Sequence, residues 1–183
     1  MMERITEASP QFKARIAGVF YLLAILTGLF SFLVRGRLGS AAGLIAGAFY
    51  MALTLLLYYI FKPVNRNLSL LAAVFSFVGF TIGALRLNPQ GVNISMVFFG
   101  FYCLLIGYLI FRSTFLPRIL GALMAFAGLA WLTFLSPPLQ NYLSPYSLAA
   151  GILGEGLLCL WLLVKGVNAE HWNEQARAAG MPG

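Results

Sequence analysis

Long apolar runs separated by short polar stretches dominate the chain, and their lengths predict six membrane-spanning helices. Each run has about the twenty residues that a helix needs to cross ~30 Å of hydrocarbon. The runs are apolar on every side, without the period-two alternation of a β-barrel strand, so the backbone must form its hydrogen bonds within each segment. We expect helices at about residues 16–34, 41–61, 68–85, 92–111, 116–135 and 146–164.

The short connections between these runs predict an all-α fold, a single polytopic domain over residues 1–166. All connections except residues 136–145 have about six residues or fewer, so helices consecutive in sequence should be antiparallel neighbours. Residues 136–145 carry no charge and include three prolines, and we expect a loop at the membrane interface there. Residues 167–183 are predicted to form a short polar tail on the cytoplasmic side.

The distribution of Lys and Arg predicts how the bundle is oriented. Because cytoplasmic connections are enriched in cations, the side that has nine of the twelve is expected to face the cytoplasm, with both termini there. For a bacterial protein this would be the inner membrane. These nine cations are Arg4, Lys13, Arg15, Lys62, Arg66, Arg112, Arg118, Lys165 and Arg177, against Arg35, Arg37 and Arg86 on the other side.

The amino-acid composition indicates that most of the chain is surrounded by lipid, and it argues against a soluble domain and a nucleic-acid-binding protein. The chain of 183 residues is 61% hydrophobic and only 9% charged, whereas soluble domains carry roughly a quarter charged residues. The net charge of +7 comes from cations scattered singly between apolar runs, so no nucleic-acid partner is expected. Membrane lipids are the expected surroundings.

The inventory of reactive groups argues against a metal, a cofactor and catalysis. The chain has no Walker loop, no Gly-x-Ser-x-Gly elbow and no aspartate, and His171 is its only histidine. Cys103 and Cys159 lie in apolar runs and are interpreted as packing residues. An enzyme is therefore disfavoured, although not excluded.

Glu155 is the leading candidate for a functional residue because it lies near the centre of the last apolar run. It is the tenth of nineteen residues in that run and the only acid in any of the six. An ionised carboxylate is costly at that depth, so the group should face the bundle interior, either protonated or paired. Polar residues expected at a similar depth are Thr27, Tyr50, Ser76 and Tyr102.

Two interpretations of this polar belt remain open. The belt is either a ligand-binding or proton-coupled site near the midplane, or a structural hydrogen-bond cluster between helices. Arg86 is a possible counter-ion for Glu155, but its place at the end of the third run favours contact with lipid headgroups. Glycines four residues apart, at 43 and 47 and at 79 and 83, predict close helix packing, within the chain or with another copy.

Seven short stretches, spread over nearly the whole chain, have a recognisable order and spacing. They are ARIAGVFYLL at 14–23, KPVNRNL at 62–68, FFGFYC at 98–103, FRS at 111–113, LPRILG at 116–121, GE at 154–155 and LWLLVKG at 160–166. In these stretches the chain resembles the bacterial membrane proteins catalogued as domain of unknown function 4386. The resemblance implies a multi-helix membrane protein, and the family name assigns no activity. In similar sequences histidine often occupies the position of Tyr102, whereas Glu155 fits the family pattern.

Two functions therefore fit the sequence. In the first, the bundle binds or moves a small or lipophilic molecule in an interior cavity around Glu155. In the second, it is a non-catalytic accessory or structural subunit of a larger membrane complex or a homo-oligomer. The first predicts a cavity that reaches Glu155, and the second predicts a filled bundle.

Overall fold

The computed structural model describes residues 9–34, 36–87 and 92–181. Arg4 and Arg35, which entered the charge count, lie outside these ranges, as do the last two residues of the predicted tail. The helices are α1 (Pro10–Leu33), α2 (Arg37–Phe61), α3 (Arg66–Ala84), α4 (Ile94–Arg112), α5 (Arg118–Leu132), α6 (Pro137–Val164) and α7 (Ala169–Ala178), with a 3₁₀ turn at Thr133–Leu135.

The prediction of an all-α polytopic bundle is confirmed. Six helices of the described chain are long and apolar enough to cross a membrane.

Capping side chains explain where several of these helices begin. Ser9 Oγ accepts a hydrogen bond from Phe12 N at the start of α1, and the side chains of Asn65 and Asn93 cap α3 and α4 in the same way.

The expected loop at residues 136–145 is not observed, because α6 already begins at Pro137. Pro137 and Pro138 occupy the first turn, where the missing backbone N–H would be unpaired in any case and the fixed φ suits a helix. The apolar part of α6 that is suited to cross a membrane is Tyr146–Val164, the run predicted from sequence. The prolines therefore start the helix instead of preventing it.

The six long helices form a closed ring. Each packs against its neighbours in sequence, and α6 packs against α1. We call one end of the bundle the terminal side. It contains the start of α1, the end of α6 and the α2–α3 and α4–α5 turns. We call the other end the opposite side. The fold therefore has an interior that all six helices surround.

The bundle is filled on the terminal side. The largest fully buried aliphatic side chains of α2, α4 and α6 belong to this half, where they pack together in the hydrophobic core. They are Leu53, Leu57, Ile60, Ile106, Leu109, Ile110, Leu158 and Leu162.

Helices α4 and α5 approach so closely that their backbones touch. A β-carbon added at Gly107 would lie 2.8 Å from Gly121 O, and one at Gly128 would lie 2.8 Å from Gly100 O. Small residues permit this kind of approach between membrane helices. These pairs, seven residues apart on each helix, were not predicted.

The predicted glycines on α2 and α3 also face other helices of the chain. Gly43 lies near Ser31 of α1, while Gly79 and Gly83 lie against Ser95 of α4. At Gly47 an added β-carbon would overlap the ring of Phe80. The described contacts of these glycines are therefore within the chain.

The polar tail contains α7, which packs on the terminal side of the bundle. Trp172 Nε1 donates a hydrogen bond to Ile60 O at 2.8 Å, and Gln175 Nε2 donates one to Arg112 O at 3.3 Å. Ile60 and Arg112 lie in the last turns of α2 and α4, where carbonyls lack partners within the helix. Helix α7 therefore caps the ends of two transmembrane helices.

Candidate functional site: an intramembrane cavity

Glu155 lies in the interior with both carboxyl oxygens hydrogen-bonded. Tyr21 Oη donates to Oε2 at 3.1 Å, and Trp131 Nε1 donates to Oε1 at 3.2 Å. Glu155 is 7% exposed. Because Tyr21 belongs to α1 and Trp131 to α5, this carboxyl group joins the helices on both sides of α6.

The position of Trp131 depends on a glycine one turn before Glu155. Its indole lies against Gly151, where an added β-carbon would be 2.2 Å from Cζ2. Residues four apart lie on the same face of a helix, so the bare backbone at Gly151 leaves space for the ring that reaches Glu155. The sequence therefore provides both the acid and the space for its donor.

Aromatic rings continue from this acid across the bundle. The ring of Tyr50 meets those of Tyr21, Phe99 and Tyr102 at centroid distances of 5.8, 5.2 and 5.8 Å, and Phe99 also meets Trp131 at 5.7 Å. These are edge-on or tilted contacts, the arrangement that aromatic pairs favour. Helices α1, α2, α4 and α5 thus contribute to one aromatic cluster beside Glu155.

Two hydroxyl groups in this cluster have unused hydrogen-bonding capacity. Tyr50 Oη and Tyr102 Oη are buried and make no hydrogen bond of good geometry with the described residues. A buried polar group without a partner is costly, and native proteins usually satisfy such groups with protein, water or ligand. The Tyr50 hydroxyl is therefore suited to meet a polar group of a bound molecule.

A cavity of about 620 Å³ occupies the opposite half of the bundle and reaches this cluster. Its volume lies in the range of small-molecule sites, and its lining is mainly apolar. Every long helix contributes to its wall, which includes Ala24, Gly28, Leu29, Gly47, Tyr50, Ser76, Gly79, Phe80, Met96, Phe99, Trp131, Leu148, Ile152 and Glu155. Glu155, Tyr50 and Trp131 form its polar floor.

The residues predicted from sequence are placed differently with respect to this cavity. Glu155, Tyr50 and Ser76 line it, and Ser76 also hydrogen-bonds Thr54 at 2.8 Å. Tyr102 contacts Tyr50 behind the lining. Thr27 is not brought to the site, because its hydroxyl donates to backbone carbonyls of its own helix.

Arg86 is not brought to Glu155 either. Its guanidinium donates to Ser40 Oγ at 3.3 Å, at the opposite end of the bundle. There it lines a second cavity, of about 520 Å³, that adjoins the first, since both are lined by Ser31, Gly43, Phe80 and Ser95. The structure thus gives Glu155 neutral hydrogen-bond donors, whereas Arg86 belongs to the rim.

The sequence did not identify Tyr21 and Trp131 as partners of Glu155. One signal was present: both are amphipathic aromatics inside transmembrane segments, whereas such residues are usually enriched at the membrane interfaces. A phenol or indole far from the interface needs a buried partner for its polar hydrogen. The only acid in the membrane segments is an obvious acceptor.

No metal site is evident. Among the residues that the structure describes, no group of three or more His, Cys, Asp or Glu side chains is arranged to hold a metal ion. The chemistry of the site is that of hydrogen bonding and apolar contact.

The fold defines a multi-pass membrane protein whose six helices surround an apolar cavity with a polar floor. The sequence profile of the family described as "Domain of unknown function (DUF4386)" matches residues 35–90 and 81–166. The chain belongs to this family, which confirms the resemblance seen in the sequence.

A relative from Archaeoglobus fulgidus is described as an uncharacterized protein. It is 31% identical over 121 residues, which cover 60% of this chain and 72% of the relative. No solved structure matches the chain.

Proposed function

We propose that this protein binds or moves a small lipophilic molecule in the cavity whose floor includes Glu155. The observation that carries the proposal is the cavity itself: the terminal half of the bundle is filled, whereas the opposite half holds about 620 Å³ of mainly apolar space. An accessory protein needs only a packed bundle. The apolar walls of this space lack packing partners within the chain, and a bound molecule would supply those contacts.

The floor supplies the polar contacts of the proposed site. Each oxygen of Glu155 already accepts one hydrogen bond and can accept another, and Tyr50 Oη has no good partner. A hydroxyl, carbonyl or amine on an otherwise apolar molecule would match these groups. Glu155 and Tyr50 therefore act as the polar anchor, and the apolar wall holds the body of the ligand.

The distribution of cations supports an orientation with the terminal side in the cytoplasm, as in a bacterial inner membrane. Described cations on that side include Lys62, Arg66, Arg112, Arg118 and Lys165, whereas Arg37 and Arg86 lie on the opposite side. Under the positive-inside rule, this difference supports a location of the cavity in the outer leaflet.

Native mass spectrometry of the purified protein tests the proposal. Gly28 lines the cavity, and an added β-carbon there would have Ala46 Cβ as its nearest neighbour, at 4.0 Å, so Gly28→Leu extends a side chain into the cavity from its wall. Gly156→Leu is the matched control, because nothing lies within 4 Å of a β-carbon there. We expect wild type and the control to retain a bound lipophilic mass, and Gly28→Leu to retain at least about tenfold less.

Two results would contradict the proposal. If wild type carries no bound mass when released from its membrane under mild conditions, the accessory or structural reading is favoured. If Gly28→Leu retains as much as the control, the bound species lies outside the cavity.

A further inference from the structure

The structure points to a class of ligand for the proposed cavity: we infer that it receives an anionic lipid, whose headgroup lies at Arg86 and whose chain extends between the helices toward Glu155. This inference rests on the proposed function because it uses the same cavity, but it places the charged group of the ligand at the rim instead of at the floor. Four observations carry it, concerning the rim, the backbone at Arg86, and the depth and the side opening of the cavity.

The rim of the cavity is polar and cationic. Arg86, Ser31, Ser40 and Ser95 line the outer cavity of about 520 Å³. Arg37 begins α2 at the same end, and no described acid lies there, because Glu170 and Glu174 belong to α7 on the terminal side. Guanidinium and hydroxyl groups together suit a phosphate or carboxylate headgroup.

Arg86 occupies a backbone position that glycine would suit better. Arg86 has φ = 54°, in the left-handed region that disfavours residues with a β-carbon. It ends α3 in a Schellman motif, with Leu87 N bonded to Ile82 O and Arg86 N bonded to Gly83 O. Glycine is the usual residue at this position, so the arginine side chain lies at the rim against the conformational preference of the backbone.

The depth of the apolar cavity matches one leaflet. Its lining on α1 runs from Ala24 to Leu33, and these nine helical steps span about 13.5 Å. Half of the hydrocarbon thickness is roughly 15 Å. A chain whose headgroup lies at the rim would therefore end near Glu155. If the lipid were reversed, its anionic headgroup would lie beside the carboxyl group of Glu155.

The cavity is open to lipid between α1 and α6. On the terminal side these helices are in contact, with Gln11 Nε2 bonded to Lys165 O and an added β-carbon at Gly18 only 2.7 Å from Leu163 N. Beyond Ala24, α1 has no buried residue. There the lining residues Leu29 and Ile152 are each 43% exposed. A lipid could therefore enter from the side.

Quenching of Trp131 fluorescence by brominated lipids tests the inference, because Trp131 lies at the cavity floor. Trp161 and Trp172 are replaced by Phe, and the full chain is reconstituted with phosphatidylglycerol or phosphatidylcholine carrying the same brominated chains. We expect phosphatidylglycerol to reach half-maximal quenching at a several-fold lower mole fraction. Arg86→Gln should abolish this preference, whereas Arg118→Gln, an exposed cation on the terminal side, should retain it.

The outcomes separate this inference from the proposed function. If both lipids quench equally in wild type and Gly28→Leu weakens both, the cavity holds a chain without selecting the headgroup, and only the inference fails. If phosphatidylglycerol is preferred but Arg86→Gln retains the preference, the headgroup site is elsewhere and the inference also fails. If Gly28→Leu changes quenching by neither lipid, no chain enters, and the proposed function fails as well.

Discussion

The indole of Trp131 lies so close to Gly151 that a β-carbon at Gly151 would overlap the ring. We therefore expect Gly151→Ala to displace the ring, weaken its hydrogen bond to Glu155 and destabilise the fold by about 1–3 kcal/mol, as overpacking does. Thermal unfolding in detergent measures the loss. Gly156→Ala, where nothing lies within 4 Å, should remain within about 0.5 kcal/mol of wild type. Equal stability of the two variants would contradict the arrangement.

The two hydrogen bonds to Glu155 predict an order among its variants. Glu155→Leu leaves Tyr21 Oη and Trp131 Nε1 without their acceptor, and each interhelical bond in a membrane is worth roughly 0.6 kcal/mol on average. Glu155→Gln retains one acceptor oxygen and should lose less. Denaturant unfolding in mixed micelles would show the order wild type, Gln, Leu. A leucine variant as stable as wild type would show that the carboxyl group is not needed for packing.

Arg86→Gly should make the protein more stable. Glycine adopts φ = 54° without the penalty of a β-carbon, which amounts to about 1 kcal/mol, and the Schellman hydrogen bonds are made by the backbone. A higher melting temperature, together with loss of the preference for anionic lipid, would show that Arg86 lowers the stability of the fold but contributes to lipid binding. If the melting temperature falls, its bond to Ser40 contributes more than the backbone penalty.

Trp172→Phe should loosen α7 from the bundle. The variant removes the hydrogen bond to Ile60 O, worth about 1 kcal/mol, and leaves a ring that can still pack. Limited proteolysis with trypsin should then cleave the tail at Arg177 several-fold faster. Glu174→Gln, at an exposed position of the same helix, is the control and should cleave at the wild-type rate. Equal rates for both variants would place the anchoring of α7 elsewhere.

Gly107→Ala should be among the most damaging single substitutions in the membrane segments. Its β-carbon would lie 2.8 Å from Gly121 O and 2.9 Å from Ala125 N, and backbone atoms cannot turn away as a side chain can. We expect a loss of at least about 2 kcal/mol in thermal unfolding, at the upper part of the range for overpacking. Gly28→Ala, which faces the cavity, should be nearly neutral.

Hydropathy was sufficient to predict the helices, because each segment must satisfy its backbone in lipid whatever its neighbours are. Glu155 could be identified for a related reason, since an acid at mid-depth is costly wherever it lies. Its partners could not, because the sequence does not specify how each helix is rotated about its axis. Trp131 therefore could not be paired with Glu155 from the sequence, because nothing there indicates that this side of α5 faces Gly151.

Spacing and proline content were less reliable guides than hydropathy. Glycines four residues apart predict close packing on α2 and α3, but the backbone contacts of α4 and α5 involve glycines seven residues apart, which that spacing does not detect. The prolines at 137 and 138 predict a loop, whereas the first turn of a helix accepts proline well. In both cases the same residue type has different effects at different positions within a helix.

The backbone contacts of Gly100 with Gly128 and of Gly107 with Gly121 also decide which walls of the cavity can move. Two helices that touch at two levels, without side chains that could change rotamer, can neither slide nor roll past each other without a clash. Helices α4 and α5 are therefore expected to move as one rigid body. The far half of α1 is less constrained, because it has no buried residue beyond Ala24, although Ser31 Oγ still donates a hydrogen bond to Gly39 O of α2 there.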